Sequence, residues 1–273
     1  MRPDSALRAR FTPTSDAVLY ECATCGLEYF SPYNQGDASF YELLSRHAYY
    51  QDRRWEFDRA EKLLEPGGSV IDIGCGDGGF LKQVESIAGR AVGVDQNPEG
   101  MRQLRAAGIE GHCLDLAALA QSPVGQFDLV CGFQVVEHLS DLEPFVQAVQ
   151  ATVAPGGRLM VSVPNAERLR INPLDPLDCP PHHVSHWRPA QLRELALRAG
   201  FEVTSMSYER PTLRSVTAVL PAIRKRLRFS RERSETPSPV DGIASPGAQP
   251  KPKGRLRALL RGHTMAIVAR RPS

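Results

Sequence analysis

The chain has 273 residues, 42% of them hydrophobic, enough for one sizeable packed domain with appendages. No run reaches the roughly 20 apolar residues of a membrane span, and the N-terminus lacks the apolar stretch of a secretory leader; a cytoplasmic protein with reduced thiols is expected. The net charge of +2 is uneven: residues 211–262 hold 12 Lys/Arg against 3 Asp/Glu, a surplus of 9, so the remaining residues sum to −7.

In chain order, residues 20–30 (YECATCGLEYF) place Cys22 and Cys25 in a Cys-x-x-Cys-Gly between strand-like flanks. Residues 40–64 read as an aromatic-rich helix carrying Tyr49, Tyr50 and Trp55. A short apolar strand (Val70, Ile71, Ile73) runs into Gly74-Cys75-Gly76-Asp77-Gly78-Gly79, after which Phe80, Leu81, Val84, Ile87 and Ala88 recur at helical spacing. AVGVDQNP is a second strand ending in Asp95, and Pro98 and Gly108 bracket the next helix. IEGHCLDL is a weak third strand ended by Asp115-Leu116, and FDLVCGF a strong fourth. Leu142, Phe145, Val146, Val149 and Val153 mark a helix stopped by Pro155-Gly156-Gly157. RLMVSVP is a fifth strand, Leu192 to Ala199 a helix closed by Gly200, and FEVTSMSY and TMAIVAR are two late strands. This alternation predicts an α/β fold, an open and mostly parallel sheet with helices on both faces. Ligands of such sheets bind just beyond the carboxyl ends of the strands.

The loop after the first of these strands satisfies G-x-G-x-x-G, which by itself suggests a dinucleotide. Asp72 and Asp77 argue otherwise. A pyrophosphate needs bare backbone N–H groups and would be repelled by two carboxylates. A ligand with ammonium and sulfonium groups and no phosphate tolerates them, and S-adenosylmethionine is such a ligand. Asp95 stands where an acid can accept from ribose hydroxyls, and Asp115 where one can accept from an adenine amino group.

The pieces VIDIGCGDGGF, VGVDQNP, CLDL, FDLVCGFQVVEHL, APGGRLMVSVPN and LRELALRAGF resemble, in order, the class I S-adenosylmethionine-dependent methyltransferases, over about residues 40–210. FQVVEHL and HHVSHWRPAQL resemble most the branch with the quinone-biosynthesis O-methyltransferases. The resemblance implies a Rossmann-like, seven-stranded, mostly parallel sheet whose last strand, TMAIVAR, runs antiparallel. It implies S-adenosyl-L-methionine as cofactor. Asp72, Gly74, Cys75, Gly76 and Gly78 would border its methionine end, Asp95 and Gln96 its ribose, Asp115 and Leu116 its adenine, and Phe133 and Gln134 its methionine moiety. The chain divides accordingly into an N-terminal extension (1–39) with a single Cys-x-x-Cys knuckle, a methyltransferase core (40–210), a basic insertion (211–262) and the last core strand (263–273).

Methyl transfer is an in-line displacement in which positioning does most of the work. A hydroxyl acceptor gains from a general base, for which histidine suits neutral pH. His138 follows the fourth strand, and His182, His183 and His186 follow the fifth, three of the chain's seven histidines within five residues. His138, His183 and His186 are the candidates, alongside the plainer reading that His183 and His186 only fix their loop. Tyr49, Tyr50 and Trp55 either lid the donor or pack their helix onto the sheet.

The insertion holds a basic amphipathic stretch around Val216–Arg228 and a proline-rich tract, read as disordered. It would suit an anionic membrane surface, reached peripherally through 212–262, and a lipid- or glycan-linked acceptor as well as a free small molecule. Its lack of interleaved aromatics speaks against nucleic acid. No metal is expected at the catalytic site. A structural zinc site needs four ligands, and Cys22 and Cys25 could find the other two only in Cys179 and His182. The expected activity is methyl transfer to a hydroxyl, ahead of nitrogen or carbon; the rival is a methyltransferase-like binding or scaffold protein without turnover.

Overall fold

The structure is a computed structural model that describes residues 17–32, 36, 40, 54–168, 176–210 and 262–273. An N-terminal hairpin comes first, β1 (Val18–Glu21) and β2 (Glu28–Ser31), then α1 (Trp55–Glu61). The alternating body follows: β3 (Ser69–Ile73), α2 (Gly79–Val84), β4 (Arg90–Asp95), α3 (Pro98–Ala106), β5 (Glu110–Cys113), α4 (Leu116–Gln121), β6 (Phe127–Phe133), α5 (Glu143–Thr152) and β7 (Val153–Pro164). The short β8 (Ser185–His186), α6 (Pro189–Arg198), β9 (Glu202–Tyr208) and β10 (Thr264–Arg270) complete it.

The main sheet has seven strands in the order β5-β4-β3-β6-β7-β10-β9. β3 to β7 pair in parallel, and β10 lies antiparallel between β7 and β9, so the expected architecture is the observed one. Neighbouring residues of the central strands go to opposite faces. Val70, Leu129, Cys131 and Met160 pack with Phe57 of α1, Phe80 and Leu81 of α2 and Leu104 of α3. Ile71, Ile73, Val130 and Val161 pack with Leu119 of α4, Phe145 of α5 and Leu192 of α6. Strands buried on both faces are why VIDI and FDLVCGF read as near-continuous apolar runs.

Three details depart from the sequence reading. β7 begins at Val153 and runs through Pro155-Gly156-Gly157, which the sequence suggested as a bare helix stop. β5 ends at Cys113, and Asp115 belongs to the start of α4, a helix the reading did not include. Of the expected helix 40–64, residues 40 and 54–64 are described and the helix there, α1, ends at Glu61; Tyr49 and Tyr50 lie outside the described residues. Trp55 donates its indole N–H to Thr264 Oγ1 of β10, which favours packing on the sheet over lidding. The basic stretch 212–261 also lies outside the described residues. No helix among the described residues is long and apolar enough to cross a membrane.

β1, β2 and β8 form a second small sheet, with Glu28 paired to His186 and Tyr29 to Ser185. The Cys-x-x-Cys hairpin therefore braces the histidine loop: Phe30 N–H donates to Val184 O, Gln191 to Cys25 O, and Arg188 pairs with Glu28.

Candidate active site

The strand order reverses at β3, between β4 and β6, and a crevice opens at such a switch point beyond the carboxyl ends. The glycine loop leaves β3 here. Gly74, Gly76 and Gly78 all have positive φ (76°, 58° and 81°), where a side chain would be strained. A Cβ on Gly74 would meet Val135 at 2.6 Å, and one on Gly78 would meet Leu104 at 2.2 Å. The backbone is thus brought close to both the segment that follows β6 and α3. Cys75 points into the core, against Gly93 of β4, where a Cβ would stand 2.7 Å from its Sγ. Burial pushes its thiol pKa well up, so it is a packing residue with an inert thiol.

Asp72 is 3% exposed on the face of β3 that Val70 shares, and its Oδ1 has no hydrogen-bond partner among the described residues. Burial, and then the charge of Asp95, raise its pKa well above the usual carboxylate range. A buried carboxyl with an orphaned oxygen is costly unless something pairs with it. Asp95, half-buried, accepts from Gly76 N–H at 2.9 Å and Asn97 N–H at 2.8 Å. Each of its oxygens keeps a lone pair for a diol. Burial raises its pKa as well. Gln96 is exposed beside it, its carbonyl facing the Cys113 thiol at 3.7 Å. An acidic glycine cradle with an unpaired buried oxygen fits a cationic adenosyl ligand and does not fit a pyrophosphate.

Asp115 has a task of its own: its Oδ1 caps α4 by accepting from Ala118 N–H at 2.7 Å. The carboxylate is exposed, and Leu116 is half-buried on the first turn of that helix. Phe133 is 7% exposed and wedged edge-on between Phe57 and Phe80, at centroid distances of 5.0 and 5.1 Å. Gln134 has φ 56°, left-handed for a non-glycine residue, and is held there by bonds to Ser162 O (2.9 Å) and Oγ (3.2 Å). Such strain gathers at functional sites.

Beyond Gln134 comes a single 3₁₀ turn, Val136–His138. Glu137 is 1% exposed, and neither carboxylate oxygen has a hydrogen-bond partner among the described residues. Burial raises its pKa to about 8. Glu56 of α1, 2% exposed, lies near enough to add to that rise, and its own pKa is raised by burial. Neither glutamate is among the candidate site residues that the sequence alone marks. Glu137 was legible as the one acid in the apolar FQVVEHL; nothing local marked Glu56.

The histidines assemble as follows. Val184 N–H donates to Glu137 O at 2.9 Å, bringing the loop before β8 onto the 3₁₀ turn. His138, His182 and His183 cluster with ring centroids 4.3–5.0 Å apart. His183 Nδ1 lies 3.5 Å from Asp178 Oδ1, and Arg168 pairs with the same carboxylate. His186 stands apart from that cluster: its Nε2 donates to Asp178 O at 2.7 Å and its Nδ1 is 3.5 Å from Glu28. With both nitrogens engaged by the loop and hairpin, it is an anchor. Among the described residues, the group close enough to share a metal is His138, His182 and His183. The zinc clip from Cys22 and Cys25 to Cys179 and His182 is therefore not formed, because His182 turns inward to the other histidines.

A methyltransferase domain model matches residues 46–206, more than half of the chain. The chain belongs to the methyltransferase domain family.

Membership implies S-adenosylmethionine as the cofactor, in agreement with the acidic cradle. The domain is 34% identical over 139 residues to a Mycolicibacterium smegmatis protein named "Probable S-adenosylmethionine-dependent methyltransferase", covering 50% of this chain and 53% of that one. The match thus spans about half of that relative. It is 31% identical over 176 residues to the ubiquinone biosynthesis O-methyltransferase of Rhizobium johnstonii, covering 58% and 71%. Among solved structures, a SAM-dependent methyltransferase from Archaeoglobus fulgidus superposes with a TM-score of 0.59 at 19% identity, over 85% of this chain and all of that one. That likeness shows the fold.

Proposed function

We propose that this chain transfers a methyl group from S-adenosylmethionine to a hydroxyl oxygen of a small-molecule acceptor. The observation that carries the reading is the buried, unpaired Oδ1 of Asp72 beneath a glycine loop tied down by Asp95. Asp72 and the loop would hold the amino-acid end of the donor, and Asp95, with Gln96, its ribose. Asp115 and Leu116 would flank the adenine, and Phe133 and Gln134 the methionine moiety. When bound, the donor supplies a methyl carbon activated by a sulfonium. The chain's own work is to place an acceptor oxygen in line with it and exclude water.

A proton acceptor is at hand beyond β6. Glu137, whose pKa burial raises to about 8, is mostly protonated at neutral pH and accepts a proton only in its ionised fraction, which grows as pH rises toward 8. His183, oriented by Asp178, is held neutral by burial and can accept from a hydroxyl, whereas His138, also neutral, is engaged by the backbone carbonyls of His182 and Gln134. Likeness to a ubiquinone biosynthesis O-methyltransferase supports oxygen over nitrogen or carbon. A lipid- or glycan-linked acceptor, and a peripheral membrane contact, rest on the surplus of 9 positive charges in residues 211–262. Flotation with anionic liposomes, lost on deleting 212–262, is the result expected for that contact.

The test of the function uses the purified chain, methyl-labelled donor and a metabolite extract from a strain lacking the gene. Label should enter a product one methylene heavier than its precursor and should fall at least tenfold with His183→Ala. Donor binding by calorimetry with no labelled product from any extract would favour the scaffold reading, and no donor binding would refute both the methyl transfer and the donor-site residues named for it.

A further inference from the structure

The six cysteines are all free thiols. Cys75 and Cys131 are buried, and burial pushes both thiols well up, which leaves them inert. Cys113 is exposed, its thiol turned to the carbonyl of Gln96 at 3.7 Å. Cys22 and Cys25 differ from these in standing side by side, half-buried, in the turn that closes the β1–β2 hairpin. That turn is held by main chain: Cys22 N–H donates to Leu27 O at 2.9 Å, Gly26 N–H to Cys22 O at 2.8 Å, and Gly26 takes φ 72°. It is fixed from outside by Gln191 Nε2 donating to Cys25 O at 2.6 Å. Neither cysteine belongs to the apolar clusters on the two faces of the main sheet, so the thiols are not there for packing. The N–H of Cys25, then that of Thr24, face the Cys22 sulfur, and so does the Cys25 thiol; these donors lower the Cys22 pKa. Arg198, paired first with Glu194 at 2.8 Å, is close enough to feel both sulfurs. Donors and a cation around an accessible sulfur favour the thiolate, the attacking form of cysteine.

We propose that Cys22 and Cys25 are a redox-active dithiol, with Cys22 the attacking sulfur and Cys25 the resolving one, oxidised by a hydroperoxide to a disulfide within the chain. A structural metal is the competing use of such a pair, but it needs four ligands. Among the described residues no third cysteine, histidine or carboxylate stands close enough to share an ion with the two sulfurs. The chemistry runs in two steps. The Cys22 thiolate attacks a peroxide oxygen: an S–O bond forms, the O–O bond breaks, and the leaving oxygen takes a proton and departs as water or alcohol. Cys25 then attacks the sulfur of the resulting sulfenic acid. The S–S bond forms as the S–O bond breaks, and the Cys25 proton leaves with that oxygen as water. Two thiols lose two electrons and the peroxide gains them. A dithiol reductant restores the thiols by exchange. The turn ends in β2, which pairs with β8, so the oxidisable pair sits on the element that braces the histidine loop.

The experiment takes the full chain, reduced, freed of reductant and treated with hydrogen peroxide. It is then denatured in a light alkylating agent, reduced, and alkylated with a heavy form of the same agent. By mass spectrometry, the peptide carrying Cys22 and Cys25 should hold the heavy label on both, while Cys75, Cys113, Cys131 and Cys179 stay light. Dithiothreitol added before the first label should return Cys22 and Cys25 to light. With Cys25→Ser, dimedone should trap a sulfenic acid on Cys22; with Cys22→Ser, trapping on Cys25 should be roughly tenfold slower. Light label throughout overturns the proposal, as does heavy label on Cys113 or Cys179 instead, a disulfide between chains, or equal trapping in the two variants. Zinc that copurifies and shields both thiols until a chelator removes it overturns it too, in favour of a metal. The peptide map of the unmodified chain decides the pairing even if a variant fails to fold.

Discussion

Asp95 Oδ2 accepts the backbone N–H of Gly76 across 2.9 Å, so the end of β4 holds the loop that leaves β3. One side chain therefore sets the shape of the cradle and, through its remaining lone pairs, presents acceptors to a ribose. Asp95→Ala removes both. The expected outcome is a ten- to a hundredfold rise in the Kd for S-adenosylmethionine, about 1.4–2.8 kcal/mol, measured by calorimetry. Asp95→Asn, which keeps an acceptor oxygen, should lose less. An alanine variant of unchanged affinity would remove Asp95 from the site.

Asp72 predicts a pH-dependent variant. Below about pH 4 its carboxyl is neutral in folded and unfolded chains alike. As pH rises past the unfolded value, the unfolded chain ionises first, because burial raises the folded pKa. Stability is therefore lost with rising pH until the raised folded value is reached. Asp72→Asn removes that loss. Its urea midpoint, taken relative to the unmodified chain, should climb between pH 4 and pH 7 while donor affinity drops. A difference that is flat with pH would contradict the burial assigned here.

The two carboxylates also show why the cofactor half of the site was legible and the acceptor half was not. Asp72, the glycines and Asp95 lie within 24 residues, on two adjacent strands and their loops, so a local pattern carries them. The sheet was legible for the same reason: its strands are buried on both faces and announce themselves as apolar runs. Glu56 and Glu137 meet only through the packing of α1 against β6, and the histidine cluster depends on a bond from His138 to a carbonyl 44 residues away. Asp115 reads as a strand end in the sequence because an N-cap is also a lone acid after a strand; β5 stops at Cys113, and Asp115 Oδ1 caps α4 by accepting from Ala118 N–H.

Gly100 sits inside α3, where alanine would ordinarily stabilise by up to about 1 kcal/mol. Here a Cβ would stand 2.4 Å from the carbonyl oxygen of Gly76. Backbone cannot swing aside as a flexible side chain would, so helix or loop must move. Gly100→Ala is expected to cost about 1–3 kcal/mol in urea denaturation and to weaken donor binding, although residue 100 need not touch the donor. A stabilised variant would mean that the approach of α3 to the loop is looser than described.

Glu28 links the N-terminal hairpin to the acceptor side. It pairs with Arg188 and lies 3.5 Å from His186 Nδ1, and His186 in turn donates to the carbonyl of Asp178, whose carboxylate meets His183. Glu28→Ala breaks the first link of that chain while leaving the main sheet untouched. The expected loss is about 1–3 kcal/mol, because His186 loses its charged neighbour and Arg188 keeps only the more exposed Glu21, at 3.7 Å. Hydrogen exchange followed by mass spectrometry locates the effect. Amides of residues 176–186 should exchange faster, and those of β3, β4 and β6 should not change. Uniform acceleration across the sheet would mean that the hairpin supports the whole fold. No acceleration anywhere would make it an appendage without influence on the histidine loop.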